Sequence, residues 1–340
     1  MEIRKITQQE YPALLDVFND AFDYGREKEW FQREHAHCTP YPATVNTEEI
    51  GHHWVSIIDG RIAGGLGAYP LDWVVSNSNS ESRTISLYGI GQVCCLPEFR
   101  NQGVMSALMT AAEADMLQLG RTVGYLTGDR RRYGYFGYDF GGNVVKYRLD
   151  NKLLKHAASP GATIRQATYA DWAELNQAYE CQPSYVKRSA RSWELHFSRA
   201  GLQWFIGELG SRKGYVCIQS KVNASEIYGD PGVLAAMLHE RAASLEKGET
   251  LQVFHAAQDV ISTPAGQMLY STAAVVDSRP AGLFNVINPA KLLDELAIDH
   301  ANLSDSVREA MARQAVNFTH LPGKWQVQPL CAWVSGVDSI

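Results

Sequence analysis

The feature that most constrains the fold is an internal repeat of a helix followed by a strand. Residues 103–125 read GVMSALMTAAEADMLQLGRTVGY, and residues 232–254 read GVLAAMLHERAASLEKGETLQVF. Each segment begins with Gly-Val, continues as an Ala- and Leu-rich helical pattern, and passes through Gly and Thr into a buried strand. Their internal spacings differ by a single residue, which favours an internal duplication. The alternative is that any two such helices ending in glycine look alike.

The beginnings of the two copies also match. Residues 2–20 (EIRKITQQEYPALLDVFND) and 163–180 (TIRQATYADWAELNQAYE) both predict a strand, a turn and an amphipathic helix. We therefore expect an α/β (α+β) protein whose tandem mixed sheets are flanked by helices. The predicted divisions are a first domain over 1–150, a second domain over 161–281, and a short C-terminal segment over 282–340.

The first copy contains a strand–helix–strand unit over residues 83–127. Its strands should be parallel, with a right-handed crossover, and ligands of such units bind at the carboxyl ends of the strands. The helical pattern predicts a buried stripe. Its residues are Val104, Leu108, Ala112, Met116 and Leu119.

The start of this helix carries no acidic residue and is approached through Asn101-Gln102-Gly103. A helix N-terminus has unpaired N–H groups and a partial positive charge, so it can bind an anion. We expect phosphate or pyrophosphate there. The second copy has Asp230 and Pro231 in the same place. A carboxylate repels phosphate and proline lacks a donor, so the second copy is expected to be degenerate.

Composition restricts the partners. The formal net charge of −6 argues against a general nucleic-acid binder. The six cysteines show no metal or disulfide spacing and are interpreted as reduced thiols. No leader and no stretch of membrane-spanning length is visible. We expect a cytoplasmic protein without nucleic-acid or membrane partners, and homo-oligomerisation stays open.

At Arg100–Met105 (RNQGVM) the sequence resembles the GNAT superfamily of acetyltransferases, whose signature is Arg/Gln-x-x-Gly-x-Gly/Ala at the start of a helix. Met105 departs from the last position. Residues 132–142 (RYGYFGYDFGG) are similar to a stretch of the Eis-like branch (enhanced intracellular survival), which has tandem GNAT folds. Residues 282–296 resemble the start of that branch's sterol-carrier-like domain, of which a remnant would remain here.

The resemblance implies acetyl-CoA as cosubstrate and assigns site residues. The strand around Cys94 would pair with the pantetheine, the helix start would bind the pyrophosphate, and two residues after the next strand would follow the cofactor arm. The implied cofactor-binding residues are Val93, Cys94, Cys95, Arg100, Asn101, Gln102, Gly103, Val104, Met105, Ser106, Gly128 and Asp129. Tyr133 would be the general acid, and the C-terminal carboxylate of Ile340 would be the general base.

Elementary chemistry is consistent with both catalytic roles. A thiol has a pKa near 8.5 and a tyrosine near 10, so Tyr133 stays protonated at neutral pH and can donate a proton to a leaving thiolate. The strand over 89–96 contains no glutamate, so a base from elsewhere, such as Ile340, is expected. The predicted function is acetyl transfer from acetyl-CoA to a primary amine of a small molecule or peptide by direct attack. The alternative is a non-catalytic protein that binds or senses CoA or acyl-CoA.

Several residues allow two interpretations. Cys94 and Cys95 could form an acyl-enzyme, although small thiols also suit a buried strand. Residues 130–132 (RRR) could contact the 3′-phosphate or form an exposed loop. The segment over 23–31, with Asp23, Tyr24, Glu29, Trp30 and Phe31, could line an acceptor pocket or form a surface helix.

The histidines near the first helix raise the question of a metal site. His35, His37 and Cys38, with His52 and His53, could be drawn as a cluster. Their spacing matches no zinc template. We therefore expect no metal and assign these side chains to solvent or to the substrate pocket.

Overall fold

A computed structural model describes residues 1–22, 30–76, 82–256 and 263–316. Within these ranges the chain forms two mixed sheets flanked by helices. The strands are β1 (Glu2–Lys5), β2 (His53–Ile58), β3 (Arg61–Ser76), β4 (Ser82–Cys95), β5 (Val123–Leu126), β6 (Asp139–Gly141), β7 (Val144–Leu149), β8 (Thr163–Gln166), β9 (Ser184–Val186), β10 (Gln203–Leu209), β11 (Arg212–Ser220), β12 (Asn223–Gly229), β13 (Gln252–Ala256), β14 (Ala273–Arg279) and β15 (Gly282–Val286). The helices are α1 (Tyr11–Phe22), α2 (Trp30–Glu34), α3 (Thr47–Ile50), α4 (Val104–Gln118), α5 (Arg130–Tyr133), α6 (Asn151–Ala157), α7 (Trp172–Tyr179), α8 (Ala190–Ser198), α9 (Pro231–Ala243), α10 (Pro264–Thr272), α11 (Pro289–Glu295) and α12 (Asp305–Val316).

The two sheets share one topology. The first has the order β1-β2-β3-β4-β5-β15-β6, with β9 added beside β3, and the second has the order β8-β10-β11-β12-β13-β7-β14. In the described structure β4 and β5 pair in parallel, as do β12 and β13, and the other pairs are antiparallel. These two parallel pairs flank α4 and α9, the helices of the sequence repeat. The tandem α/β architecture is therefore confirmed.

The two halves exchange one strand each. β7 ends the predicted first domain over 1–150 but lies between β13 and β14 in the second sheet. β15 follows the second half but lies between β5 and β6 in the first sheet. Each half therefore completes the sheet of the other, and the C-terminal segment returns to the first sheet.

Helix α4 buries most of the predicted stripe. Val104, Leu108, Ala112 and Met116 are buried against the first sheet, as is Met109. The prediction for Leu119 is wrong, because its side chain is 51% exposed. The helix ends at Gln118 and Leu119 is its C-cap, so this residue lies past the point where the helical period applies.

The second copy uses its acidic residue as a helix cap. Asp230 is the N-cap of α9, and its Oδ1 accepts hydrogen bonds from the N–H groups of Gly232 and Val233, each at 3.0 Å. Pro231 takes the first helical position, where no donor is needed. The groups that could bind an anion are therefore already occupied.

None of the helices in the described ranges is both long and apolar enough to cross a membrane.

Candidate active site

The strand β4 extends beyond its parallel neighbour β5, which ends at Leu126. Their pairing ends at Gly89 opposite Tyr125, whereas β4 continues to Cys95. Gln92 has a φ of 51°, and the register of β4 on β3 shifts nearby, as in a β-bulge. In the described structure, the last residues of β4 therefore have no neighbouring strand on the β5 side, and a cleft opens there.

Helix α4 begins at this cleft without a capping side chain. Its N-cap is Gly103, with a φ of 79°, and Asn101 also has a positive φ, of 62°. The first turn contains no acidic residue. Because the first N–H groups of a helix have no intrahelical partner, they present partial positive charge to whatever enters the cleft. This arrangement suits a phosphate group.

The helix side of the cleft lies between the end of β4 and the start of α4 and has a volume of about 630 Å³. Most residues predicted from the sequence to bind acetyl-CoA line it. They are Val93, Cys94, Cys95, Arg100, Asn101, Gly103, Val104, Met105 and Ser106. The half-buried Met105 both lines the cleft and packs on the core beneath α4.

Three of the predicted cofactor residues lie beside this lining. The Gln102 amide is 3.4 Å from the carbonyl oxygen of Glu98. Asp129 is the N-cap of α5, where its Oδ1 accepts a hydrogen bond from the N–H of Arg131 at 2.9 Å. Gly128 lies against the ring of Tyr133.

The three consecutive arginines of α5 have different partners. Arg130 forms a two-point ion pair with Asp139, and Arg131 pairs with Asp129 at 2.9 Å. Arg132 points elsewhere and lines the cleft. The triplet is therefore partly a paired surface and partly a lining of the cleft.

Arg132 and Arg100 bring positive charge to the cleft. Both line its helix side, and neither forms an ion pair with a residue in the described part of the chain. A guanidinium without a carboxylate partner suits phosphate, because its planar donors match the phosphate oxygens. This local positive charge contrasts with the net charge of −6 for the whole chain.

The tyrosine side of the cleft is continuous with the helix side and has a volume of about 320 Å³. Phe22, Val93 and Arg132 line both sides. The remaining lining residues are Trp30, Phe31, His35, Ile90, Gly91, Gln92, Thr127 and Tyr133. One cleft thus joins the bare helix start to the predicted general acid.

Tyr133 is held in place by the short helix α5. Its side chain is 8% exposed, and its backbone N–H donates to the carbonyl of Asp129 at 3.1 Å. Burial raises the pKa of its hydroxyl above the ordinary value. The phenol is therefore protonated at neutral pH and can donate a proton.

The thiols of Cys94 and Cys95 lie on opposite faces of β4. Cys94 packs with the core beneath α1, whereas Cys95 packs on the core beneath α4. Burial raises the pKa of Cys94 to about 12 and also raises that of Cys95. Because the thiolate is the nucleophilic form, neither residue is suited to form an acyl-enzyme.

His35 is the histidine that lines the tyrosine side of the cleft. Its Nδ1 lies 2.9 Å from the carbonyl oxygen of Phe31, and burial lowers its pKa to about 4. It is therefore neutral at physiological pH. In the described ranges, no three His, Cys, Asp or Glu residues are arranged to hold a metal ion.

Gln92 is a site residue that sequence reasoning missed. Its Oε1 lies 2.5 Å from the Tyr69 hydroxyl, and its Nε2 lies 3.0 Å from Cys38 Sγ. The same hydroxyl lies 3.2 Å from His53 Nε2. This buried network fits only because Gly67 has no Cβ, which would lie 2.0 Å from the hydroxyl. The glycines of β3 were the available signal in the sequence.

Two groups of predicted residues lie outside the described residues. One is the C-terminal Ile340, the predicted base. The other comprises Asp23, Tyr24 and Glu29, from the predicted acceptor segment.

Known proteins of similar fold agree with this architecture. A GCN5-related N-acetyltransferase from Kribbella flavida is 14% identical, with a TM-score of 0.61, covering 86% of this chain and 73% of its own. A GCN5-related N-acetyltransferase from Anabaena variabilis is 13% identical, with a TM-score of 0.65 and coverage of 86% and 74%. Eis1 from Mycobacterium abscessus is 15% identical, with a TM-score of 0.58 and coverage of 86% and 75%. These similarities establish the two-sheet fold.

The sequence itself matches a family model in its first half. Residues 2–141 match the acetyltransferase (GNAT) domain, whereas no curated protein sequence matches the chain. The matched range contains β1 to β6, the bare start of α4 and Tyr133. Residues 2–141 are therefore identified as a GNAT acetyltransferase domain.

Proposed function

We propose that the protein transfers the acetyl group of acetyl-CoA to a primary amine of a small molecule or peptide. The observation that carries this proposal is the continuity of the cleft. Its helix side offers bare N–H groups and two arginines without an ion pair in the described chain, and its tyrosine side ends at a protonated phenol. An anionic cosubstrate and a leaving thiolate need these two environments within one site.

Acetyl-CoA would bind along the helix side. The backbone of residues 93–95, which lies beyond the end of the pairing with β5, would hydrogen-bond to the pantetheine amides. The N–H groups over 101–106 would bind the pyrophosphate, with Arg100 supplying a compensating charge. The thioester then lies near Val93, where the two sides of the cleft meet.

The transfer would proceed by direct attack. The amine nitrogen attacks the thioester carbonyl carbon, a C–N bond forms, and the C–S bond breaks. The departing thiolate takes the Tyr133 hydroxyl proton, and the tyrosine recovers a proton from solvent. A covalent acyl-enzyme is not needed, and the raised pKa of Cys94 disfavours one.

The attacking amine must lose a proton, and we propose the Ile340 carboxylate as the base. No carboxylate is among the described residues that line the tyrosine side, which supports a base from another part of the chain. Deletion of the last four residues should lower kcat by roughly 100-fold and leave the Kd for CoA within about twofold. Unchanged turnover after this deletion would rule out Ile340.

A thiol-release assay with acetyl-CoA and a panel of amines tests the proposed function. The expected result is amine-dependent release of CoA, with an N-acetylated product detected by mass spectrometry. Tight binding of acetyl-CoA without turnover on any amine would instead support a binding or sensing protein and would overturn the proposal.

A further inference from the structure

We propose that the amine acceptor carries an aromatic ring and a single amino group, and is not a polycation. This inference rests on the proposed acetyl transfer and specifies its substrate class. It comes from the shape and charge of the tyrosine side of the cleft.

Stacked rings from α1 and α2 form one wall of the tyrosine side. The rings of Phe22 and Phe31 stack with centroids 4.6 Å apart and an angle of 15°. Phe31 and His35 stack at 4.3 Å and 16°. Trp30 meets Phe31 edge-on at 6.5 Å. Flat aromatic groups pack well on such surfaces by offset stacking or edge-to-face contact.

The polar groups of this pocket come from different elements. Gln92 belongs to β4, Thr127 follows β5, and Tyr133 belongs to α5. The pocket is therefore apolar where α1 and α2 line it and polar where the strands end, next to the thioester. A ligand that matches this division has an amine at one end and a ring at the other. A volume of about 320 Å³ is adequate for a compact molecule of this kind.

The charges on this side disfavour a polycation. Arg132 is the one charged side chain among its described lining residues. His35 adds no charge, since burial lowers its pKa and holds it in the neutral form. The described lining of this side offers no carboxylate to pair with a second or third ammonium group. A monoamine places its single amino group at the polar end and leaves only its ring near the aromatic wall.

Three acceptors test this inference in a thiol-release assay at saturating acetyl-CoA: 2-phenylethylamine, ethylamine and spermidine. We expect kcat/KM for 2-phenylethylamine to exceed that for ethylamine by roughly 30-fold, because the ring buries apolar surface, and also to exceed that for spermidine. A higher value for spermidine or equal values for the two monoamines, with acetyl transfer intact, would overturn the acceptor class. Release of thiol with no amine at all would instead contradict the proposed function, and the inference with it.

Two variants test the contribution of the aromatic wall and that of the positive charge separately. Trp30→Leu should lower kcat/KM for 2-phenylethylamine by roughly 10-fold and lower that for ethylamine by a smaller factor. Tyr270→Leu is the matched control, because this tyrosine is 61% exposed on α10 and does not line the cleft. Arg132→Gln should raise the ratio of spermidine to 2-phenylethylamine turnover. Equal losses for both monoamines in Trp30→Leu, or an unchanged ratio in Arg132→Gln, would contradict the assignment.

Discussion

Gly128 lies directly against the ring of Tyr133. Its φ is 152°, and a Cβ at this position would lie 2.6 Å from Cε2 of the tyrosine and 3.2 Å from Cδ2. The glycine thus serves two purposes, because it permits an unusual backbone conformation after β5 and leaves space for the ring. The position of the proposed general acid depends on the absence of a side chain.

Gly128→Ala should displace the Tyr133 ring. A misplacement of about 1 Å at a reacting group is expected to lower kcat by on the order of 10- to 100-fold, with little change in the Kd for CoA. Gly248→Ala is the control, since Gly248 has a φ of 97° and a Cβ added there would meet no described atom within 4 Å. The control should lose some stability and keep its turnover. Equal kcat values for Gly128→Ala and Gly248→Ala would show that the contact of Gly128 with the ring does not position Tyr133 for catalysis.

The bare start of α4 predicts opposite effects on stability and binding. Ser106→Glu adds a carboxylate to the first turn, which should stabilise the helix by about 0.3–1 kcal/mol. The same charge should weaken acetyl-CoA binding by roughly 10-fold through repulsion of the phosphates. Thermal unfolding and calorimetric titration measure the two quantities, and Ser106→Gln is the uncharged control. Similar acetyl-CoA affinities for the charged variant and its uncharged control would place the phosphates elsewhere.

Buried histidines predict loss of stability in mild acid. Burial lowers the pKa of His35, His53 and His255 to about 4, below the unfolded value near 6.5. The unfolded state therefore binds more protons between these values, and stability falls as pH decreases from about 6.5 to about 4. Each histidine should cost about 2 kcal/mol between pH 7.5 and pH 5.

Urea unfolding at several pH values measures this loss. His255→Met removes one of these three histidines, so the free energy of unfolding should depend less steeply on pH in this variant. An equally steep dependence in both proteins would show that His255 is not the source.

The repeated architecture could be predicted because local patterns encode it. Helical periodicity, Gly103 and the strand over 123–126 define the parallel unit of the first copy, and the same pattern recurs around α9. The exchange of β7 and β15 could not be predicted, because an alternating or apolar segment indicates a strand without specifying its partner. The exposure of Leu119 could not be predicted either, because the helical pattern does not show at which residue the helix ends.

Part of the candidate site could likewise be predicted from the sequence, and part of it could not. The bare helix start could be read from the sequence, since it depends on which residue types are absent there. The bulge at Gln92, the neutral state of His35 and the stacking of Phe22 on Phe31 depend on the folded structure and its contacts. The ion pairs of the arginines over 130–132 could be identified only from the structure, which shows which of the three has a carboxylate partner.

The assignment of Tyr133 as the general acid is tested most directly by the Tyr133→Phe variant. Its turnover with acetyl-CoA and an amine acceptor is measured beside its Kd for CoA. Removal of the hydroxyl leaves the packing against Gly128 intact but removes the proton donor. We predict that kcat falls by roughly 100-fold or more while the Kd for CoA stays within about twofold. A Tyr133→Phe enzyme with the turnover of the unmodified protein would contradict the assignment of Tyr133 as the general acid.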